Sequence, residues 1–424
     1  MRAVVAIAAG LLASCGGVGR DREAPPPPAV SGSGLGAAVT AAAAPAPKPA
    51  PAASATGDRG TQVVDCPVTF DETTAGDDEK VAALLEAANQ SIVSAAFGAA
   101  WTCADRASDL APASVEAHHL RGAALAGLGR EAEAQVAYAL ALALDPDDPE
   151  TLRAVADFYI NGKGDRGRDG LRLGLELAQR GSRRVLARRR RAPSLAADLA
   201  LLESQALNDL GRSDEALARV DVALKHAPGR GDALHERGVA LFDLSRFPDA
   251  RAAFEKAIEI QPEDAYSHQL MGLVLEQLGD AAGADRELAR AVELAPNDLA
   301  RPVLIASAEF RREIDAVLAT LAPERRARVR AIRIEVVDLP DPTDLAAVKP
   351  PFPPTILGLY RGPVGRGHHH VENESTSIVL YRKNLARAVK TRAELSEQIR
   401  ETLLHEIGHL EGLDEDDLRR RGMD

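Results

Sequence analysis

The chain has 424 residues, of which 46% are hydrophobic, so it can bury a sizeable core and is long enough for two or three folded units. Its 51 basic and 63 acidic residues give a formal charge of −12, which argues against nucleic acid as a partner. Aromatic residues make up only 3%, and this composition favours helices over an all-β sandwich. Three cysteines are too few for a disulfide scaffold.

The N-terminus has the features of an export signal. Its apolar run, from residue 3 to 11, is much shorter than the ~20 residues that span a bilayer. The run leads into Leu12-Ala13-Ser14-Cys15, which resembles the lipobox of bacterial lipoproteins. The resemblance implies removal of residues 1–14 and a membrane anchor through lipid on Cys15. The alternative is an ordinary secretory signal with an incidental cysteine. The residue after this cysteine is Gly16, which resembles the pattern of lipoproteins that are sent to an outer membrane. We therefore expect an envelope protein that faces the periplasm or the surface.

Residues 15–65 are rich in proline and alanine. Such a segment cannot bury enough apolar surface to offset its conformational entropy, so we predict a disordered tether. The residues after the tether are then exported too, into a compartment where disulfides persist. We therefore predict that Cys66 pairs with Cys103.

A period of 34 residues organises the middle of the chain, as the spacing of Pro228, Pro262 and Pro296 shows. With small residues such as Gly238 and Gly272 at fixed offsets, the pattern resembles the tetratricopeptide repeat. The matching units are 81–114, 115–148, 197–230, 231–264 and 265–298, with 149–196 as a degenerate unit that contains an insertion. The resemblance implies an α-solenoid of helix pairs over residues 66–300, whose concave surface binds a protein or peptide.

One stretch of this array is strongly basic. Lys163 to Arg191 contains eleven basic and three acidic residues, a net charge of +8. The segment is either a solvated helical face or a contact site for anionic lipid, polysaccharide or an acidic partner, because arginine pairs well with phosphate and carboxylate.

The period stops after Pro296, and residues 301–424 have a mixed pattern. We predict a helix over 305–321, strands over 332–337, 355–360 and 377–381, and a further helix that opens at Thr391 with a capping box to Glu394. Gly412 is placed to end that helix.

The last helix carries His405-Glu406-Ile407-Gly408-His409. Residues four apart share a helical face, so His405 and His409 can direct imidazole nitrogens at one zinc ion. Glu406 is offset by about 100° and is predicted to reach the activated water as a general base. The alternative to a zinc site is an exposed helix that carries two histidines without binding metal.

The third zinc ligand is constrained by the short remainder of the chain. The spacing through Gly412 to Glu415 is similar to that of metzincins, in which a glycine turn returns the chain to the metal. Glu415 occupies the ligand position, and Asp414 is the alternative after a small shift of register.

Residues 305–424 also resemble the minimal zincin family of bacterial metallopeptidase-like domains. The similarity rests on Pro350-Pro351-Phe352, on 357–362, on 378–381 and on the motif from Leu404 to His409 with its Gly412 turn. It implies a small α+β domain with a short sheet beside the active helix, one zinc ion and presumed peptidase activity. The chain departs from the family pattern at Leu410 and Glu411 and in the His368-His369-His370 loop.

Those three histidines are either an exposed loop or a transient contact for metal or substrate. Tyr381 and His368 are candidate donors to a developing oxyanion. The sequence predicts a mainly α protein with an α-solenoid followed by a small α+β zincin-like domain, acting as a membrane-anchored zinc metallopeptidase that recruits a partner or substrate through its repeats. The alternative is a non-catalytic envelope scaffold with a structural or inactive zinc site.

Overall fold

The structure is a computed structural model that describes residues 65–70, 76–162, 164, 167–187, 192–362, 376–413 and 415–421. The predicted lipid-bearing Cys15, the tether before residue 65, the arginine run at 188–191, the three loop histidines and Asp414 lie outside these residues. Within the described part of the chain, no helix combines the length and the apolar character needed to cross a membrane.

The array consists of consecutive antiparallel helix pairs, which confirms the predicted solenoid. Its helices are α1 (Asp77–Val93), α2 (Phe97–Leu110), α3 (Val115–Gly127), α4 (Glu131–Leu144), α5 (Pro149–Asn161), α6 (Gly167–Ala187), α7 (Pro193–Asp209), α8 (Ser213–His226), α9 (Gly231–Asp243), α10 (Phe247–Ile260), α11 (Ala265–Gln277) and α12 (Ala281–Leu294). The segment with the predicted insertion forms α5 and α6, the second of which is a longer helix of 21 residues.

Small residues at the repeat positions bring the helices close together. In α10, Ala250 and Ala257 are buried on either side of Phe254, which is itself fully buried. Alanine leaves room for a close helix approach, and Phe254 packs against Gly238 of its own unit and shares a core with residues of the next unit.

The start of the described chain is fastened to the first helix pair. Cys66 and Cys103 form a disulfide with an S–S distance of 2.04 Å. Arg106, also on α2, donates to the Val68 carbonyl at 3.5 Å. Residues 65–70 therefore lie along α2.

The terminal domain surrounds a three-stranded sheet with the order β1-β3-β2. β1 runs parallel to β3, and β2 runs antiparallel to it with Gly358 opposite Leu380. The elements are α13 (Ser307–Thr320), α14 (Pro323–Arg330), β1 (Arg333–Val337), α15 (Pro342–Leu345), β2 (Gly358–Arg361), β3 (Ser377–Tyr381), α16 (Arg382–Arg387), α17 (Arg392–Leu410) and α18 (Glu415–Arg420).

The second strand starts later than the predicted Thr355. The Asn384 side chain donates to the carbonyls of Pro354 and Ile356 at 2.9 and 2.8 Å. Backbone groups that precede β2 are thus satisfied by a side chain from α16 rather than by a strand ladder.

The central strand β3 lies between the array and α17, and all five of its residues are buried. Ile378 and Leu380 join the core around α17. Val379 and Tyr381 join a second core that includes Phe242 and other array residues. Because side chains alternate across a strand, one short segment links the solenoid to the terminal helix.

An ion cluster reinforces this junction. Glu276 of α11 accepts from Lys383 at 2.9 Å and forms an ion pair with Arg387 at 2.5 Å, and its side chain is only 5% exposed. Both cations lie on α16, directly between β3 and α17, so the last repeat holds the connection that leads into the candidate site.

Candidate metal centre

The helix α17 has a well-defined start. The Thr391 hydroxyl accepts from the Glu394 amide at 3.2 Å, and the Glu394 carboxylate accepts from the Thr391 amide at 3.2 Å. The predicted capping box is therefore present. Farther along, the fully buried Leu395, Ile399 and Leu403 pack into the core beneath the sheet, which fixes the rotation of the helix and of its last two turns.

His405 and His409 converge at the end of α17. Their Nε2 atoms lie 3.2 Å apart, and the two side chains are 6% and 5% exposed. Two nitrogen ligands bound to a tetrahedral zinc ion at 2.0–2.1 Å are separated by about 3.3 Å. The donor type, the spacing and the burial of the pair thus fit a zinc ion.

A hydrogen bond orients the second of these rings. Nδ1 of His409 lies 3.1 Å from the Leu413 carbonyl oxygen, and a ring nitrogen can only donate to such an acceptor. The proton is then on Nδ1, and the lone pair of Nε2 is directed towards His405. Backbone carbonyls commonly orient metal-binding histidines in this way.

The acceptor carbonyl belongs to the turn that ends α17. Gly412 has a φ of +82°, which an L side chain rarely adopts, and its amide donates to the His409 carbonyl at 2.9 Å. The Leu413 amide donates to the Gly408 carbonyl at 3.0 Å, which completes a Schellman motif. Gly412 ends the helix as predicted and turns the chain back across the histidine pair.

Two arginines hold the same turn from outside. The Arg325 Nε lies 2.8 Å from the Glu411 carboxylate, and an Arg328 nitrogen lies 3.6 Å from it. Glu411 was identified above as a departure from the family pattern. Its carboxylate anchors the turn to α14, so a neighbouring helix supplies the basic partners for this residue.

Glu406 lies on the side of α17 that faces β2, and its side chain is 1% exposed. A Cβ atom at Gly358 would lie 2.8 Å from Thr402 Cγ2 and 3.0 Å from Glu406 Oε1. Only glycine permits the strand to approach this closely. β2 has β3 as its neighbour on one side and is an edge of the described sheet, so a sheet edge runs beside the carboxylate.

The structure does not distinguish between the two candidates for the third zinc ligand. Glu415 is the first residue of α18, but its side chain lies outside the described residues, as does Asp414 altogether. Within the described residues, no three metal-ligand side chains converge on one point. Glu415 and Asp414 both remain predictions.

The candidate oxyanion donor Tyr381 is engaged elsewhere. Its hydroxyl donates to Asp344 at 2.9 Å, and the ring is fully buried. Burial, together with the Asp344 carboxylate, raises the pKa of the Tyr381 hydroxyl well above its usual value. Arg361 donates to both oxygens of Asp344 at 2.8 and 2.7 Å. Tyr381 is thus part of a structural network, and His368 lies outside the described residues.

Neither Asp344 nor Glu276 is marked by any sequence motif. Asp344 sits in a short helix within the proline-rich stretch between β1 and β2, and Glu276 sits in a repeat unit where many surface positions are charged. Their partners come from residues 17 to 111 positions away, so only the fold reveals their roles.

Comparison with known proteins distinguishes the same two regions, the helical array and the terminal domain. Residues 329–423 match the family model described as zincin-like metallopeptidase. Tetratricopeptide repeat models match residues 115–148, 201–265 and 235–298. The chain therefore carries tetratricopeptide repeats and a C-terminal zincin-like metallopeptidase domain. No curated protein has significant similarity to it.

Several solved structures are similar to the array. One concerns PilF of Pseudomonas aeruginosa, with 15% identity, 57% of this chain and 100% of that chain covered, and a TM-score of 0.45. Another is PilW, a type IV pilus biogenesis factor, with 18% identity, 51% and 94% coverage, and a TM-score of 0.44. YrrB, a tetratricopeptide repeat protein, has 15% identity, 46% and 93% coverage, and a TM-score of 0.35.

Proposed function

We propose that the protein is a zinc-dependent metallopeptidase that is anchored to a membrane and recruits a protein partner or substrate through its repeat array. The observation that carries the catalytic part is the convergence of the His405 and His409 Nε2 atoms, 3.2 Å apart, inside a zincin-like domain. Glu406 follows directly on the same helix and lies against the sheet edge.

His405 and His409 would hold the zinc ion, with Glu415 or Asp414 as the third ligand. When bound, zinc supplies a Lewis acid that polarises the scissile carbonyl and lowers the pKa of water. The Glu406 carboxylate accepts the proton of the attacking water and returns it to the leaving amine nitrogen. The Leu413 carbonyl keeps the His409 ring oriented throughout, because it accepts from Nδ1.

The substrate class follows from the strand beside Glu406. In the described sheet β2 is an edge strand, and an extended peptide that lies along such a strand would pass Gly358 and the adjacent Glu406. The missing side chain at this position keeps the gap between β2 and Glu406 narrow. We therefore propose an extended polypeptide as the substrate.

The membrane anchor rests on the sequence alone. Lipid on Cys15 would attach the chain to the outer membrane, and residues 15–65 would act as a tether. Cys15→Ser is expected to move the protein from the membrane fraction to the soluble fraction and to abolish incorporation of labelled fatty acid. Membrane association that survives this change, without label on the parent chain, would contradict a lipid anchor.

Catalysis is tested on the full chain by zinc analysis and a peptide-library cleavage assay. Glu406→Gln is expected to lower the cleavage rate by roughly 100- to 10,000-fold and to keep one zinc ion bound. Glu401→Gln, the same change on the exposed side of α17, serves as the matched control and should leave the rate unchanged.

Each outcome has a distinct meaning. Loss of zinc from the Glu406→Gln variant would make Glu406 a ligand and contradict its role as base. Stoichiometric zinc in the parent chain with no cleavage of any peptide would favour the scaffold alternative, in which the zinc is structural.

A further inference from the structure

The hydroxyl group of Thr402 is a buried donor that the fold does not use. Thr402 lies on α17, one turn before Glu406, and its side chain is 6% exposed. Its Oγ1 atom is closed off from solvent and has no hydrogen-bond partner among the described residues. A buried polar group without a partner lowers the stability of the folded state, so each such group requires an explanation.

Other helical hydroxyl groups of this chain bond to their own backbone. On α17 itself, Ser396 donates to the Arg392 carbonyl at 3.3 Å. On α2, Thr102 donates to the Gly98 carbonyl at 3.1 Å. Serine and threonine in helices commonly bond in this way to a carbonyl three or four residues earlier. Thr402 makes no such bond, so its place in a helix does not account for its hydroxyl group.

The side chains of Thr402 and Glu406 meet at the same point of β2. They are four residues apart on α17 and therefore share a helical face. A Cβ atom at Gly358 would lie 2.8 Å from Thr402 Cγ2 and 3.0 Å from Glu406 Oε1. It is thus the methyl group of Thr402 that approaches this point. Rotation about the Cα–Cβ bond brings Oγ1 to the place of Cγ2, on the side of the carboxylate, and threonine uses two χ1 rotamers in helices.

We propose that Thr402 is a positioning residue for Glu406, whose carboxylate accepts a hydrogen bond from the Thr402 hydroxyl group. The inference rests on the proposed peptidase function. A substrate is not the acceptor, because Oγ1 is closed off from solvent. The bond to a carboxylate is charge-assisted and stronger than a bond to a neutral acceptor. It would hold one carboxylate oxygen, so that the other keeps its orientation towards the attacking water.

Two substitutions separate the hydroxyl group of Thr402 from its methyl group. Thr402→Val keeps the shape of the side chain and removes the hydroxyl group, whereas Thr402→Ser keeps the hydroxyl group and removes the methyl group. The full chain is assayed with zinc and a peptide that the parent cleaves. Thr402→Val is expected to lower kcat about tenfold with KM changed by less than about twofold. Thr402→Ser should keep kcat within about threefold of the parent.

A role in packing alone would give the opposite order, because it is Thr402→Ser that leaves a cavity. Ser396→Ala is the matched control on the same helix. It removes a hydroxyl group that is bonded to the Arg392 carbonyl, and it should leave both kcat and KM unchanged.

A second measurement shows whether Thr402 acts through Glu406. Thr402→Val is added to Glu406→Gln, and the further loss of rate is expected to stay below about twofold, since the orientation of residue 406 matters only when it is a base. A further tenfold loss in this background would assign the hydroxyl group a role that is independent of Glu406.

A third measurement does not need peptidase activity. Thermal unfolding of the full chain, with zinc chloride in the buffer, compares the effect of Thr402→Val in the parent and in the Glu406→Leu variant. With the carboxylate present, loss of the donor should lower Tm. With leucine at position 406 the hydroxyl group has no acceptor there, so its removal should raise Tm.

Three results would overturn the proposal: a lower kcat for Thr402→Ser than for Thr402→Val, independent rate losses for Thr402→Val and Glu406→Gln, or Tm changes of the same sign in both backgrounds. A parent chain that binds zinc and cleaves no peptide would contradict the proposed function instead. The unfolding comparison would then decide the contact by itself, with opposite signs in support of it and equal signs against it.

Discussion

Helices α8 and α10 of the array begin differently from α17 of the terminal domain, although four other array helices, α3, α5, α11 and α12, have side-chain caps. In the array, α8 and α10 start with exposed pairs, Arg212 with Glu215 and Arg246 with Asp249, and neither has a side-chain cap. In the terminal domain, α17 starts with a complete capping box. A repeated module distributes its stability over many similar contacts, whereas a single-copy helix that holds a site depends on a few specific ones.

The same contrast applies to buried charge. The acidic residue Asp243, at the end of α9, has a serine hydroxyl from Ser213 as a hydrogen-bond donor at 3.2 Å. Asp344 in the terminal domain binds both Arg361 and Tyr381. Asp243 therefore has a neutral hydroxyl as its donor, whereas Asp344 has an arginine. The predictions below test this contrast, beginning with the junction between the two regions.

Glu276→Ala is expected to have the largest effect. It leaves Lys383 and Arg387 in a largely buried junction without their carboxylate, and breaking such a cluster costs about 3 kcal/mol in the free energy of unfolding. Denaturant unfolding followed by near-UV spectroscopy measures it. Glu293→Ala removes an array carboxylate that is 65% exposed and pairs with Arg290 at 3.5 Å, so it should cost less than about 0.5 kcal/mol. Equal costs for the two variants would show that the junction does not depend on the cluster.

Replacement of an aspartate by asparagine should have opposite effects at Asp243 in the array and at Asp344 in the terminal domain. Burial raises the pKa of Asp243 to about 7, with a further contribution from Glu236. The folded pKa exceeds the unfolded value, so stability is highest below the unfolded pKa and is lost as the pH rises from about 4 to 7. Asp243→Asn keeps an acceptor for Ser213 and removes the charge. It should therefore stabilise the protein by roughly 2 kcal/mol at pH 8 and by almost nothing at pH 4.

Asp344→Asn is the counterpart in the terminal domain. It removes the charge that Arg361 binds through two hydrogen bonds, and we expect a loss of roughly 2 kcal/mol at pH 8. Thermal unfolding of both variants between pH 4 and pH 8 measures the two effects. Stabilisation by both substitutions, or by neither, would contradict the proposed difference in charge compensation.

Arg325→Ala should weaken zinc binding about tenfold, because it releases Glu411 and loosens the turn whose carbonyl orients His409. Arg328→Ala is the control, since Arg328 lies farther from Glu411 and is 67% exposed, and a change below about threefold is expected. Competition with a zinc chelator gives the dissociation constants. Unchanged affinity in the Arg325 variant would show that the turn is held without this contact.

Thr391→Ala should produce the smallest of these effects, a loss of about 1 kcal/mol from the capping box of α17. Arg246→Ala at the start of α10 removes an exposed ion pair and is expected to cost less than about 0.5 kcal/mol. Urea unfolding of the two variants makes the comparison, and a larger loss for Arg246→Ala would reverse the contrast between the regions.

Features of the fold that depend on neighbours in sequence could be predicted without a structure. The repeat period, the capping box at Thr391, the end of α17 at Gly412 and the alignment of His405 with His409 all follow from spacings of a few residues or from an exact internal period. Helical geometry converts such spacings directly into positions in space.

Other features depend on residues that meet only after folding. The start of β2 is set by Asn384, whose side chain binds the carbonyls before the strand. The role of Tyr381 is set by Asp344, which accepts from the tyrosine hydroxyl that the sequence suggests as an oxyanion donor. The turn at Glu411 is held by arginines more than eighty residues earlier in the chain. No local pattern encodes these partners.

The sequence by itself determined the class of each region and the identity of the candidate ligands, because both follow from short spacings between residues and from the 34-residue period. The tertiary structure decided that the last repeat and the terminal helix share the strand β3, with Val379 packed on the array and Ile378 packed against α17. The reason is physical: alternation along a strand gives two faces, and what covers each face is decided by the packing of distant elements.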